Sequence, residues 1–184
     1  MAIVINGSGT LSGLAVGGLP DGTVDAGTLA TDSVTAAKLE VSAITGADLP
    51  AGSVLQVVSD THFSSSSHFS TTSSSYVDTE LAATITPKSS NSKILILVSL
   101  GHQTPANVAP RQRVVRGSTA LSGESWTGVE AGNSLWVNTT TQWIDTPSTT
   151  NSTVYKVQVK TASGTYYYHH QEFISMITLM EIAV

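Results

Sequence analysis

The chain has 184 residues, only 11% of them charged, a formal net charge of −5 and no cysteine. That length suits one ordinary domain with an appendage, and the missing cysteines exclude a disulfide framework, a thiolate metal site and a cysteine nucleophile. Eight Lys and Arg on an acidic chain do not make the electrostatic footprint of a nucleic-acid binder.

The start, Met1 to Gly7, has no basic residue and only four apolar residues in a row, from Ala2 to Ile5. It reads as neither a signal peptide nor a membrane anchor, so the expectation is a protein made without export. Residues 1–53 contain no aromatic side chain. Lys38 there faces Asp21, Asp25, Asp32, Glu40 and Asp48, which places −4 of the net charge in this region. The region also repeats. Leu19, Leu29, Leu39 and Leu49 are ten apart, and Leu14, Val24, Val34, Ile44 and Val54 fall midway between them. A spacing of five fits neither a helical stripe nor the alternation of a strand. It suits a short extended piece and a turn, repeated, with one aliphatic anchor per half-unit. A single such strip has no opposite wall to pack on and cannot offset its ordering entropy. Three copies around an axis can bury the anchors Leu19, Val24, Leu29, Val34, Leu39, Ile44 and Leu49 against one another. Residues 1–53 are therefore expected to form an extended, trimeric N-terminal stalk or anchor.

From Val54 the pattern is that of strands. Val54 to Val58 comes first, then a Ser/Thr-rich loop from Ser64 to Ser75, Tyr76 to Asp78, and Leu81 to Thr86 stopped by Pro87. Lys93 to Leu100 is the strongest strand, and its apolar core, Ile94 to Val98, falls far short of the ~20 residues that cross a bilayer. No membrane insertion is expected. Gln112 to Arg116 leads to a turn at Gly117-Ser118, and Ser134 to Asn138 and Gln142 to Asp145 follow. Val154 to Lys160 alternates cleanly and, through Ala162-Ser163-Gly164, is expected to form a hairpin with Thr165 to His169. Ile174 to Ile182 closes the chain. No segment calls for a long helix. Nine or ten short strands over residues 54–184 predict an all-β, jelly-roll-like sandwich head. Two strands are apolar on both faces: Ile94 and Ile96 against Leu95 and Leu97, and Met176, Met180 and Ile182 against Ile177 and Leu179. A strand apolar on both faces is buried on both, so the second face of Ile94, Leu95, Ile96, Leu97, Ile177 and Leu179 is expected to meet a neighbouring subunit.

Candidate chemistry is thin. His62, His68, His102, His169 and His170 have no metal-ligand spacing, and His169 and His170 are read as adjacent strand residues on opposite faces. No metal or other cofactor is expected. The carboxylates of residues 54–184 sit in no catalytic motif, and there is neither a nucleophile elbow nor a phosphate loop, so no catalytic residue is assigned. The Gly-rich stretch Gly123 to Trp136 is the most suggestive of recognition. Trp126 and Trp136 can stack on sugar rings while Glu130 and Asn133 bond hydroxyls, but the reading that stands ahead is that the same tryptophans cap the core. Arg111, Arg113 and Arg116 suit either an anionic polymer or acidic partners across a subunit boundary.

Thr31-Asp32-Ser33-Val34-Thr35-Ala36-Ala37-Lys38-Leu39 resembles the short repeats of phage tail-fibre and other virion fibre proteins from phages of aquatic bacteria. The start Ile5-Asn6-Gly7-Ser8-Gly9-Thr10 is similar to the openings of such proteins. Ser53 to Val58, Thr84 to Leu95 and Ile177 to Ile182 resemble their C-terminal heads. The resemblance spans most of the chain except about Gly117 to Thr141. It implies a non-enzymatic homotrimer, made in the bacterial host cytoplasm and carried on the virion. The N-terminal region would dock on tail, neck or capsid proteins, and the head would meet a host-surface glycan or protein. The alternative it leaves open is a capsid decoration, cement or tail structural trimer that binds no receptor. The head's strand order also looks like the trimeric jelly rolls of complement globular heads and tumour-necrosis-factor ligands, a likeness of fold that carries no function.

Overall fold

The computed structural model describes residues 4–5, 11–12, 29, 31–35, 38–39, 44, 48–63, 69–104, 108–121, 123–126, 134–169 and 173–184. The protein is nearly all β, with antiparallel sheets and no α-helix among the described residues. The chain divides into two compact units, Met1–Ile44 and Thr45–Val184. In the first, β1 (Val4–Ile5) pairs antiparallel with β2 (Leu11–Ser12). Further along, a turn is closed by Lys38 N–H donating to Thr35 C=O at 2.8 Å. Leu29, Val34, Leu39 and Ile44 are all exposed, as is Leu49 at the start of the second unit. Leu19 and Val24 lie outside the described residues.

The second unit contains β3 (Val54–His62), β4 (Phe69–Thr71), β5 (Val77–Ile85), β6 (Lys93–Thr104), β7 (Pro110–Arg116), β8 (Thr119–Ala120), β9 (Ser125–Trp126), β10 (Leu135–Asp145), β11 (Thr153–Thr161), β12 (Tyr166–Tyr168) and β13 (Ser175–Ile182). They form two sheets. In the first, β6 has β10 along one edge and both β13 and β12 along the other, with β3 and β4 outside these. In the second, the order is β5-β11-β7-β8, and β9 also pairs with β7. One apolar core lies between them, built from Ile94, Ile96, Val98, Leu100, Ile177 and Leu179 of the first sheet and Leu81, Val114, Tyr155, Val157 and Val159 of the second. Each such side chain, fully withdrawn from water, contributes about 1.5–3 kcal/mol. Alternation makes this possible: in β11, Thr153, Tyr155, Val157, Val159 and Thr161 are buried while the residues between them are not.

Buried polar groups bridge the gap. Asp145 on β10 accepts from Tyr155 Oη at 2.7 Å and from Arg116 Nη1 at 2.8 Å. Gln112 Nε2 of β7 donates to Thr141 Oγ1 of β10 at 2.5 Å. At the open edge, Asp60 Oδ2 of β3 accepts from the Ala82 amide of β5 at 3.2 Å. Glu181, wholly buried, accepts from Gln56 Nε2 and from the Lys88 and Ser89 amides. Burial alone would raise its pKa, but these hydrogen bonds hold the carboxyl below its ordinary value.

Four readings of the sequence are corrected. Val154–Lys160 and Thr165–His169 do not form a hairpin. Both edges of β11 are already taken, by β5 and β7, so after the turn at Gly164 (φ +64°) the chain crosses to the first sheet, where β12 pairs with β4 and β6. The two separate strands expected at 134–138 and 142–145 are one continuous strand, because Thr139, Thr140 and Thr141 carry the alternation across the gap opposite Leu100, Ser99 and Val98. Tyr76–Asp78 and Leu81–Thr86 likewise merge into β5, while the Ser/Thr loop contains the short β4. His169 does not alternate within a strand: it follows β12 with φ +49°.

Candidate functional site

The outer face of the first sheet is the strongest candidate for contact with another molecule. Residues directly opposite each other in a ladder project to the same side, so the register places Val57, Met180, Leu95 and Ile144 in one row across β3, β13, β6 and β10. Beside it runs a row of Ser59, Thr178, Leu97 and Gln142, then one of Thr61, Met176, Ser99 and Thr140. Val54 and Ile182 extend the apolar row toward Lys93. Val57 is 56% exposed and Ile144 65%, values that belong to surface polar residues rather than to large aliphatics. Leu95 and Leu97 are half-buried here, whereas Ile94, Ile96, Ile177 and Leu179 point inward and are fully buried. Among the described outward positions on these four strands, Lys93 is the only charged residue.

The second sheet turns an opposite character outward. Lys156 pairs with Asp78 at 2.9 Å and Lys160 with Glu124 at 3.2 Å, and Arg111 lies 3.9 Å from Glu124. Arg113 donates to Gln158 Oε1 at 2.8 Å and stacks 3.9 Å above the Tyr76 ring. Hydrogen bonds from Gln158 and Lys156 hold the Asp78 carboxyl below its usual value. Burial and the nearby Glu124 carboxylate push the Tyr76 hydroxyl up to about 12. The arginines thus find their partners within the chain: Arg116 on Asp145, Arg111 near Glu124 and Arg113 on Gln158 and Tyr76.

The proposed recognition stretch is only partly described. Trp126 lies in β9 opposite Arg111, and Trp136 lies in β10 opposite Gln103, 48% exposed. Glu130 and Asn133 lie outside the described residues. A neighbouring cleft of about 350 Å³ is lined by Gly123, Glu124, Ser125, Thr141, Gln142 and Trp143. Trp143 of β10 packs partly buried against the core, which the sequence did not mark because the adjacent Ile144 is apolar as well. Of the histidines, His102 is buried between the sheets, with Nε2 2.8 Å from Thr139 Oγ1, and burial pushes its pKa down to about 4. His62 and His169 lie together, while His68 and His170 are outside the described residues. No protein-family model matches the chain, and no curated protein matches it.

Proposed function

We propose that this chain is a structural virion protein of a bacteriophage, a fibre or attachment protein working as a homotrimer. In this reading residues 1–53 form a stalk that docks on the particle, and the jelly-roll-like head is presented to the host surface. The observation that carries it is the outer face of the first sheet, where Lys93 is the only charge at the described outward positions of β3, β13, β6 and β10 and Val57, Met180, Leu95 and Ile144 form one row across the four strands. A durable surface protein has no reason to leave such a row in water, and a closed ring of identical copies covers it with itself. The exposed anchors Leu29, Val34, Leu39, Ile44 and Leu49 ask for the same remedy. The shortness of the N-terminal region, at most ~180 Å fully extended, favours a second reading. In it the trimer is a capsid decoration, cement or tail part held close to the particle.

We read the protein as non-enzymatic. Support comes from carboxylates already committed to structure: Asp60 to Ala82, Asp78 to Lys156 and Gln158, Asp145 to Tyr155 and Arg116, and Glu181 to Gln56 and two amides. Sedimentation equilibrium of the full chain at micromolar concentration tests the assembly. Three copies are expected, and a stable monomer refutes the reading. Labelling the protein in images of intact particles tests the location and separates a fibre from a decoration.

A further inference from the structure

Ser175 of β13 pairs with His62 of β3, and Tyr168 of β12 pairs with Phe69 of β4. His62 is the last residue of β3, and His169 directly follows β12. Their rings lie 4.5 Å apart, centroid to centroid, tilted by 39°. Phe69 packs edge-on against both, at 5.2 Å and 5.8 Å, and Tyr168 against His169 at 5.3 Å, so the pair sits against an aromatic wall.

Three of the four ring nitrogens of this pair have no hydrogen-bonding partner among the described residues. His169 is 1% exposed, and neither of its ring nitrogens has a hydrogen bond among the described residues; Nε2 of His62 is also buried without one. Three imidazole nitrogens without partners in one place are costly, and such groups in native proteins call for a water, an ion or a function. His169 is moreover held with φ +49°, a conformation a non-glycine residue adopts only when its surroundings impose it. Glu80 supplies the remaining element. Its Oε2 stands 3.8 Å from His169 Nε2, and the side chain is 45% exposed, free to change rotamer at the seam between β5 and the first sheet. No three ligating groups already converge as a finished cage among the described residues. Closing one needs the Glu80 carboxylate and the two rings to turn their donors to a common point, with water completing the shell.

We propose that His62 and His169, with Glu80, bind a divalent transition-metal ion of the zinc type at the end of β3. Two neutral imidazoles and one carboxylate suit zinc, nickel or cobalt, and the nitrogen donors disfavour magnesium and calcium, which take oxygen shells. An ion there would tie the end of β3 to the residue after β12 and to β5.

The test uses the untagged full chain, stripped with EDTA and titrated with zinc chloride by calorimetry at neutral pH. One zinc per chain is expected, with a rise in Tm at excess zinc that magnesium does not reproduce. His62→Ala and His169→Ala are each expected to weaken binding by at least about tenfold, and Glu80→Gln by less. Since His169→Ala removes a buried side chain, imidazole 15N shifts of the wild-type protein give a readout that needs no variant. Zinc is expected to move the ring nitrogens of His62 and His169. The proposal is overturned if the wild-type chain takes up no zinc, if bound zinc shifts only other histidines, or if folded His62→Ala binds as tightly as wild type.

Discussion

The outer faces of the two sheets are built to opposite rules, although both belong to strands of similar length over one shared core. On the second sheet every basic outward residue of β7 and β11 meets an acid, an amide or a ring of its own chain: Lys156 on Asp78, Lys160 on Glu124, Arg113 on Gln158 and Tyr76. That face is complete in one copy. On the first sheet the equivalent positions carry Val57, Met180, Leu95, Leu97 and Ile144, with Lys93 as the only charge at the described outward positions. A solvated sheet face gains from charge, which keeps it hydrated and discourages edge and face association, whereas a face that meets a partner loses by it, because each charge must be desolvated. On the proposed reading, the charged face is the side that meets water and the apolar one the side that meets a second copy.

The sharpest way to break this comparison is Leu97→Lys. A lysine in the middle of the apolar face, with no acid nearby to receive it, should abolish assembly and leave a folded monomer in sedimentation. Normal trimers would show that the face is not the interface. The next effect is interior. Asp145→Ala removes the acceptor shared by Tyr155 and Arg116, leaving the Tyr155 hydroxyl unpaired where the sheets meet and Arg116 with only the Thr146 carbonyl. It should cost the head about 2–4 kcal/mol in urea denaturation; a loss below about 1 kcal/mol would mean that the bridge is dispensable.

Acid titration sharpens the same contrast. The apolar face has nothing to titrate at pH 4 to 7, so acid lability should come from the interior. His102 is neutral when folded, with a pKa near 4, and regains its ordinary value of 6.5 on unfolding. The unfolded chain therefore binds the extra proton between these values. The stability from keeping His102 neutral is intact above pH 6.5 and is lost as pH falls toward 4, by up to about 3 kcal/mol. Denaturation midpoints measured from pH 7 to 4 should fall accordingly and fall less in His102→Gln, where His169, also held near 4 by burial, keeps its share of the slope. The smallest effect belongs to the charged face: Lys156→Ala, which breaks an exposed pair with Asp78, should change stability by less than about 1 kcal/mol and leave assembly untouched.

Much of this could be read from local pattern. Tyr155, Val157 and Val159 alternate with Lys156, Gln158 and Lys160, and the structure buries the first set while leaving the second toward solvent. Leu95 and Leu97 declared a second apolar face for their strand because no polar residue separates them from Ile94 and Ile96. The Trp126–Trp136 stretch was legible only as aromatic and glycine-rich, since nothing in its spacing says which side of a strand each ring takes. The His62 and His169 pair left no local signal at all: 107 residues of sequence separate two side chains whose rings touch.

The sequence by itself determined the all-β class, the positions of most strands and the inward set of each, because side-chain alternation and β-branched content act over a few residues. It also carried the ten-residue register of the N-terminal region. Tertiary structure decided what depends on which edges are free. β11 is enclosed by β5 and β7, so its successor had to cross to the other sheet; β10 runs unbroken because β6 offers it a full-length edge. It alone placed Asp145 against Arg116, Glu181 against Gln56 and His62 against His169, since strand order is set by competition among all edges for hydrogen bonds and by one core that both sheets must share.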